Sequence, residues 1–415
     1  MKTAVSMVVL IGLTTATTVH AGDELFDDAS LFGGDGLIEQ STIDQVDLAQ
    51  DFLTAGEPVT VTGSFAVTAK HSMVNAASRA TQTKTKVTAG GVISIDVRPQ
   101  PAYRLLLKTD YDVNEDKASI GLREGFVDAS FLDQVYTRTG RQTLHWGAGV
   151  YYSPADLISS DRVDSRAPEA DRKGTDAVKL HWPQATNNYY VYLIDDQKGH
   201  YDVALKGEWL LDSAEVSVGL VAKNDGQNSI ALTIAQPEPW GKWYGEYVLH
   251  HGVLSDALDA SADASDRSQN LLQQATLGGS YTLSDAEDYK ISVSGQWYYN
   301  GLGYSQAHWQ NNTSQWLVLV AAGTVETYLA GQMYIASSLR WSDMYQTGIT
   351  TSLTHLYSAT DSSYSDSLGV SYKFADELRL SFKLGNTVSD KLGQYSPSGP
   401  QTSYSLTLSI LNYQF

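Results

Sequence analysis

Residues 201–211 read YDVALKGEWLL, and apolar and polar residues alternate along them. The odd-numbered positions from Tyr201 to Leu205 are apolar, whereas polar residues, among them Lys206 and Glu208, occupy even-numbered positions. Successive side chains of a β-strand point to opposite faces of the sheet. The stretch therefore predicts a strand with one apolar face and one polar face.

The same alternation recurs along most of the chain, as at 214–223, 289–297 and 378–385. A soluble β-sandwich would also alternate. However, most of the predicted strands run about 9–13 residues, close to what a tilted strand needs to cross a bilayer and longer than the usual soluble strand. Tyr and Trp residues lie near many strand ends, and their amphipathic rings favour the boundary between membrane and water. We predict strands near 58–69, 87–98, 102–112, 119–130, 134–146, 174–183, 187–195, 201–211, 214–224, 227–236, 241–251, 270–283, 288–300, 326–340, 343–356, 365–375, 377–387 and 402–415.

These segments predict an all-β fold, a transmembrane antiparallel β-barrel of about 18 strands, with 16 as the alternative count. Their connections alternate in length: those near 99–101 and 237–239 are tight, whereas 147–173 and 252–269 are long. Short periplasmic turns and long extracellular loops are typical of bacterial barrels. An even strand count places both ends of the barrel segment on the periplasmic side.

The N-terminal part of the chain differs from the rest. Residues 1–21 combine Lys2, an apolar run and a small-residue cleavage pattern, which predicts a secretory signal peptide. Residues 22–57 carry ten carboxylates and neither Lys nor Arg, and they lack sustained alternation. We therefore expect an acidic periplasmic segment at 22–57, followed by the barrel at 58–415. Such segments are commonly solvated chain; binding of a partner or plugging of the lumen is the alternative.

Composition narrows the function classes. The formal net charge is -19, which disfavours nucleic-acid binding because that function requires a basic surface. The chain has no cysteine, so no disulfide framework holds it. No apolar run after the first 21 residues approaches the roughly 20 residues that a spanning helix needs. These features favour an exported barrel in the outer membrane of a Gram-negative bacterium.

The C-terminal segment supports the same localisation. It ends in Tyr413 and Phe415, an aromatic pair that resembles the sorting signal read by the barrel-assembly machinery. The alternation changes phase between Ile410 and Leu411, which predicts a β-bulge there.

Residues 123–156 resemble a porin-like group of outer-membrane barrels that includes the alginate-export type. The resemblance implies an 18-stranded pore, and alginate exporters line that pore with many basic groups. Here the inferred inward faces mix Lys206, Arg379 and Lys383 with acidic residues, which disfavours a polyanionic substrate. The residues that carry the resemblance are Glu124-Gly125-Phe126-Val127-Asp128, Thr139-Gly140-Arg141-Gln142, Trp146-Gly147 and Pro154-Ala155-Asp156.

Charged residues supply the candidate site. Opposite charges paired across strands stabilise a sheet, and we expect Glu124 and Asp128 to face Arg141, either as a solute contact or only to shape the wall. Loop 147–173 carries a dense mixture of charges and either folds inward as a constriction or stays outside as a solvated loop. The candidate lumen and constriction residues are Glu124, Asp128, Arg141, Asp156, Arg162, Arg166, Asp202, Lys206 and Glu208.

Two aromatic clusters, Tyr151-Tyr152 and Trp297-Tyr298-Tyr299, are assigned first to the interfacial girdle, with a sugar-stacking track as the alternative. The alternation also predicts that Arg is tolerated less well at Leu205, on the lipid face, than at Ala204, on the lumen face.

We expect an outer-membrane channel for passive or weakly selective passage of small hydrophilic solutes. The alternatives are a polysaccharide exporter that works with periplasmic partners, and a surface-displayed adhesin or hydrolase with a blocked lumen. No nucleophile elbow, zinc-protease or phosphate-loop motif occurs, so no enzyme is predicted. No cofactor or metal is expected, although loop 252–269 holds four spaced aspartates that divalent cations could bind. The expected partners are outer-membrane lipid, lipopolysaccharide, the assembly machinery and the solutes.

Overall fold

The structure, a computed structural model, describes residues 59–74, 81–100, 102–114, 117–131, 134–159, 174–224, 226–252, 271–286, 289–303, 305, 329, 331–375, 377–389, 393–395 and 400–414. Within these ranges no helix is both long enough and apolar enough to cross a membrane. The predicted signal peptide, the acidic segment 22–57 and Phe415 lie outside the described residues.

Eighteen strands form one closed antiparallel sheet. Each strand pairs with the next in sequence, and β1 also pairs with β18, which closes the barrel. The strands are β1 (Val59–Val74), β2 (Gln82–Gln100), β3 (Tyr103–Asn114), β4 (Ala118–Phe131), β5 (Val135–Gln142), β6 (Thr175–Gln184), β7 (Asn187–Asp195), β8 (Tyr201–Leu211), β9 (Ala214–Ala222), β10 (Asn228–Glu238), β11 (Gly241–His251), β12 (Leu272–Ala286), β13 (Tyr289–Asn300), β14 (Met333–Ser342), β15 (Ile349–Ser358), β16 (Tyr364–Ala375), β17 (Leu378–Val388) and β18 (Gln401–Gln414).

The predicted fold class and the count of 18 are confirmed, and so is the alternation of connection length. Every second connection, from 101–102 to 376–377, is short and lies at the barrel end where β1 begins and β18 ends. The connections at the opposite end include the long ones at 143–174, 252–271, 301–332 and 389–400.

Several predicted boundaries are wrong. The interval 70–86 is mostly strand, because β1 and β2 continue as a hairpin beyond the predicted ends. β5 stops at Gln142 rather than at residue 146, and β14 begins at Met333 rather than at residue 326. The turn predicted at Trp341-Ser342 lies at 343–348, where a single 3-10 turn spans Met344–Gln346. Alternation continues through such ends, so periodicity alone does not locate them.

Each strand has an apolar outward face and a covered or polar inward face. On β8, Leu205 is 44% exposed, whereas its neighbour Ala204 is 0% exposed. Exposed aromatic side chains such as Trp182, near the end of β6, and Trp240, in the turn between β10 and β11, lie where an interfacial girdle is expected. The phase change in β18 is also present: the pairing register between β1 and β18 shifts between Gly63 and Phe65, opposite Ile410 and Tyr413.

Candidate lumen constriction

The chain leaves the wall after β5 and crosses the inside of the barrel. We call residues 143–158 the constriction segment. Its Leu144, Trp146 and Ile158 pack on inward residues of β6 to β9. Its Ala148 and Ala155 pack on β10 and β11, and its Tyr151 and Tyr152 pack on β13 to β15. The apolar core of the protein therefore lies within the lumen, between this segment and the wall.

Glu246 on β11 anchors the segment by accepting backbone hydrogen bonds. Its Oε1 accepts from Ala148 N at 2.5 Å and from Gly149 N at 2.6 Å, and its Oε2 accepts from Ala155 N at 2.9 Å. The Ser153 hydroxyl also donates to this carboxylate, at 3.1 Å from Oε1. Glu246 is 4% exposed. A buried ionised carboxylate requires such donors, because burial without hydrogen bonds costs several kcal/mol.

Gln296 on β13 supplies a second anchor. Its Oε1 accepts from Tyr151 N at 2.8 Å, and its Nε2 donates to Tyr152 O at 2.5 Å. The side-chain amide thus takes the place of a neighbouring strand, since it satisfies one donor and one acceptor of the segment's backbone. Tyr244 also donates its hydroxyl proton to Gln296 Oε1, at 2.9 Å.

Local geometry shapes the segment itself. Asp156 accepts from Trp146 N at 3.0 Å, and its second oxygen lies 3.0 Å from His145 Nδ1, which closes the segment into a loop. Gly147 has a φ of +93°, a left-handed conformation that favours glycine. The Trp146 ring lies against Gly219 of β9, where an added Cβ would be 2.7 Å from the ring.

A second inserted element meets the constriction segment from the β17–β18 connection. Gln394 bonds to the Tyr334 hydroxyl and accepts from Gly331 N at 3.0 Å. The Tyr395 hydroxyl lies 3.1 Å from that of Tyr152. Tyr152 also stacks on Tyr298 of β13 with ring centroids 5.3 Å apart. Contacts from two connections therefore fill this side of the lumen.

The opposite side of the lumen is not covered in this way by the described residues. No residue of β1 or β2 is buried, whereas all five inward residues of β11 are buried, from Lys242 to His250. We call the inward face of β16, β17, β18, β1 and β2 the uncovered wall, because among the described residues none of its members belongs to the apolar clusters of the constriction segment. Five inward side chains of β16 to β18 are nevertheless buried: Ser367, Lys383, Thr387, Ser403 and Ser409. The inward residues of this wall are mostly Ser, Thr, Gly and basic residues. The basic ones besides Arg98 are Lys70, Lys84, Lys86, Lys373, Arg379 and Lys383.

The predicted pairing of Glu124 and Asp128 with Arg141 is wrong. The register places Gly125 opposite Arg141 and Arg138 opposite Asp128. Arg141 lies on the outward face, where its Nη2 is 2.6 Å from an oxygen of Asp176. Glu124 instead contacts Lys108 Nζ at 2.6 Å and accepts from Thr143 N, the first residue of the constriction segment, at 3.0 Å.

Asp128 belongs to a chain of charges along the inward wall of β2 to β5, which was not predicted from the sequence. Arg138 donates to Asp128 through Nε at 2.7 Å, and Arg104 Nη1 lies 3.8 Å from the same carboxylate. Arg104 in turn donates to Asp96, with which Arg98 also pairs. Each aspartate therefore joins two arginines. Strand alternation predicts which of these charged residues point inward, but the register between neighbouring strands decides which of them pair.

The remaining candidates lie in different surroundings. Asp202, Lys206 and Glu208 share the inward face of β8, as predicted. Lys206 Nζ is 2.6 Å from Glu208 Oε1, and both side chains are almost fully buried. Arg162 and Arg166 lie outside the described residues. Asp156 holds the constriction segment in shape, as described above.

The girdle assignment of the two aromatic clusters is wrong for their inner members. Tyr151, Tyr152 and Tyr298 are buried within the lumen. Trp297, at 39% exposure, and Tyr299, whose ring stacks on it, lie on the outward face as girdle residues would. Tight packing of these rings on one another suits a structural core rather than an open sugar-stacking track.

Solved structures with the same architecture are outer-membrane porins. A BenF-like porin from Pseudomonas fluorescens Pf-5 matches with a TM-score of 0.56 and 11% identity over 86% of this chain and 99% of that chain. The chain has the porin fold. OccAB1 of Acinetobacter baumannii matches with a TM-score of 0.52 and 12% identity over 86% of this chain and 97% of that chain. OccK2 (OpdF) of Pseudomonas aeruginosa in complex with glucuronate has a TM-score of 0.52 and 11% identity over 86% of this chain and 98% of that chain.

No protein-family model matches the chain, and no curated protein does. The solved structures support the porin part of the resemblance drawn from residues 123–156 at the level of the 18-stranded barrel. They do not support the alginate-export part.

Proposed function

We propose that the protein is an outer-membrane channel through which small hydrophilic solutes pass without chemical conversion. The observation that carries the proposal is the asymmetric lumen. The constriction segment packs on inward residues of β6 to β11 and of β13 to β15, whereas β1 and β2 contain no buried residue. A barrel of 16–18 strands is wide enough for an aqueous channel, and partial filling narrows that channel.

The uncovered wall suits hydrophilic solutes because its inward side chains bear hydroxyl and basic groups. Thr68 and Thr407, for example, face each other with their hydroxyl oxygens 2.9 Å apart. Glucuronate, the molecule bound by OccK2, has the size and polarity of the solutes we propose. Lipid and lipopolysaccharide would surround the exposed outward face, and the C-terminal strand would engage the assembly machinery.

A matched pair of substitutions tests where solutes pass. Thr68→Trp adds bulk to the uncovered wall, whereas Ala69→Trp adds the same ring to the outward face of the same strand. We expect Thr68→Trp to lower single-channel conductance in a planar bilayer, and Ala69→Trp to leave it near the native value.

The outcomes separate the alternatives. A native chain that inserts as a folded barrel but conducts no ions would contradict the channel and favour a surface-displayed barrel with a blocked lumen. Equal conductance in both variants would mean that the passage does not follow β1.

A further inference from the structure

A row of polar residues crosses the outward face of β14 to β18, near the barrel end with the long connections. Each member is the register partner of the next one on the neighbouring strand. All of them share the face of Leu353, which is 48% exposed and two residues from the row along β15. We call this the polar row, and its members are Ser337, His355, Asp366, Asn386 and Thr402.

The residues on either side of the polar row mark the boundary of the membrane. Two positions further from the barrel end, the outward residues are Leu353, Leu368 and Leu384, which are register partners. Two positions nearer the end lie Tyr357 and Tyr364, which are also register partners. Leucine suits the hydrocarbon, whereas amphipathic tyrosine rings favour the interface between membrane and water. The polar row therefore lies at the level of the lipid headgroups.

The polar row offers both acceptors and donors of hydrogen bonds. His355 Nδ1 lies 2.6 Å from an oxygen of Asp366, and the two side chains are 45% and 41% exposed. A carboxylate has room for several hydrogen bonds, so Asp366 can accept more than this one. Asn386 accepts from the Thr402 hydroxyl through Oδ1 at 3.2 Å, and its NH₂ group can donate. A ligand that suits the row presents groups that both donate and accept, as hydroxyl groups do.

Charge distinguishes a sugar from a phosphate as the contacting group. The polar row contains neither Lys nor Arg, which are the residues that commonly recognise phosphate. Its carboxylate would also repel an anion. Sugar hydroxyl groups carry no charge, and the exposed leucines beside the row suit acyl chains. The chemistry and the depth together favour a glycolipid whose sugar lies on the row.

We propose that the polar row binds the sugar headgroup of a lipopolysaccharide molecule in the outer leaflet, with the acyl chains along the neighbouring leucines. The proposal rests on the outer-membrane location that is part of the proposed function, but not on conduction. It assigns a defined glycolipid to one place on the outward face, whereas bulk lipid surrounds the rest.

Retention of lipopolysaccharide by the purified full-length chain tests the proposal. Native mass spectrometry in detergent, with rough lipopolysaccharide in small molar excess, measures the fraction of barrels that keep a glycolipid. The double variant D366L/N386L extends the leucine face through the row, and we expect it to retain several times less. The matched control R141L/D176L removes another outward ion pair, on β5 and β6, and should retain as much as the native chain. Native-level retention by D366L/N386L, or an equal loss in the control, would overturn the proposal.

Competition separates the sugar from the phosphate and from a protein partner. Lipid A from which the phosphates have been removed should still bind, and an excess of phosphatidylglycerol should not displace it. Loss of binding when the phosphates are removed would overturn the assignment to the sugar. A mass of two barrels without glycolipid would make the row an interface between copies of the chain, and would overturn the proposal as well.

A second measurement does not require the double variant to fold. The chain has no native cysteine, so S337C in the polar row and Q273C, on the outward face of β12 away from the row, can each be labelled with a maleimide in detergent. Rough lipopolysaccharide should slow the labelling of S337C several times and leave that of Q273C near its original rate. Equal slowing at both sites, or none at either, would contradict the proposal. Neither readout depends on ion conduction, so a failure of this site and a failure of the channel function are distinguishable.

Discussion

Glu246 is the residue on which the position of the constriction segment most depends. One carboxylate accepts three backbone N–H groups of the segment, all within 2.9 Å. A glutamine at this position would turn its side-chain NH₂ toward at least one of those backbone N–H groups, which would then have no acceptor.

Glu246→Gln should therefore lower the free energy of unfolding by about 1–3 kcal/mol, since a buried N–H loses its acceptor. Limited proteolysis of the folded barrel should also cut the constriction segment sooner. Glu215→Gln on the inward face of β9 is the control, and it should resemble the native chain. Equal behaviour of both variants would show that Glu246 does not hold the segment.

The neighbours Leu205 and Ala204 test the two faces of β8. Leu205→Arg should destabilise the barrel by about 2–4 kcal/mol if it lies near the bilayer midplane. The sequence alone suggested a milder effect for Ala204→Arg, but Ala204 is fully buried against the constriction segment. Arg there would be both overpacked and desolvated, so we expect a loss at least as large. Denaturant unfolding in detergent or lipid measures the loss of unfolding free energy in both variants. A mild effect of Ala204→Arg would contradict the packing of Ala204 against the constriction segment.

Among the structural elements, the strands were easier to predict than the constriction segment that lies inside the barrel. The predicted bounds of β7, β8 and β11 match the structure, because uninterrupted alternation and clear turns mark those strands. The inward fold of 143–158 depends on Glu246 and Gln296, which lie on distant strands. Their only sequence signal was a polar side chain at an inward position.

The contact between the Trp146 ring and Gly219 gives a prediction for the whole constriction segment. Gly219→Val would push the ring away, because even a Cβ there lies 2.7 Å from it. Trp146→Ala would instead leave a cavity and cost about 3–5 kcal/mol. Both changes should increase Trp or Tyr solvent accessibility and protease sensitivity in the segment while leaving the β-sheet circular dichroism unchanged. Loss of the sheet signal would mean that the barrel cannot form without this contact.

At the scale of the whole molecule, the two ends of the barrel should face different compartments. A cysteine in loop 252–269, of which all but Gly252 lies outside the described residues, should react with an impermeant reagent on whole cells. A cysteine at Glu238, at the end where the connections are short, should react only after the outer membrane is opened. Equal labelling of both sites on intact cells would contradict the orientation.

The ion selectivity of the channel depends on the charges along the whole lumen. The sequence predicts a mild cation preference at low salt from the acidic outer loop 252–269, fading as salt screens charges beyond about 10 Å. Replacing Lys70 and Lys86 of the uncovered wall with Gln should shift the reversal potential further toward cation preference, because two positive groups leave the path. Lys198→Gln, in the exposed connection after β7, is the control. An unchanged reversal potential in the double variant would place the ion path elsewhere.

Local alternation in the sequence predicted a barrel of about 18 strands, with 16 as the alternative count, and the apolar or polar character of each face. These properties follow from side chains one or two positions apart, which the period of a strand sends to opposite faces. The pairing of the charges and the filling of the lumen depend on contacts between residues that are distant in the sequence. Arg138 rather than Arg141 binds Asp128 because Arg138 is its register partner on the inward face, whereas Arg141, three positions further along β5, lies opposite Gly125 and points outward. The bond from Ala148 N to Glu246 joins residues 98 positions apart, and local alternation contains no information about such a contact.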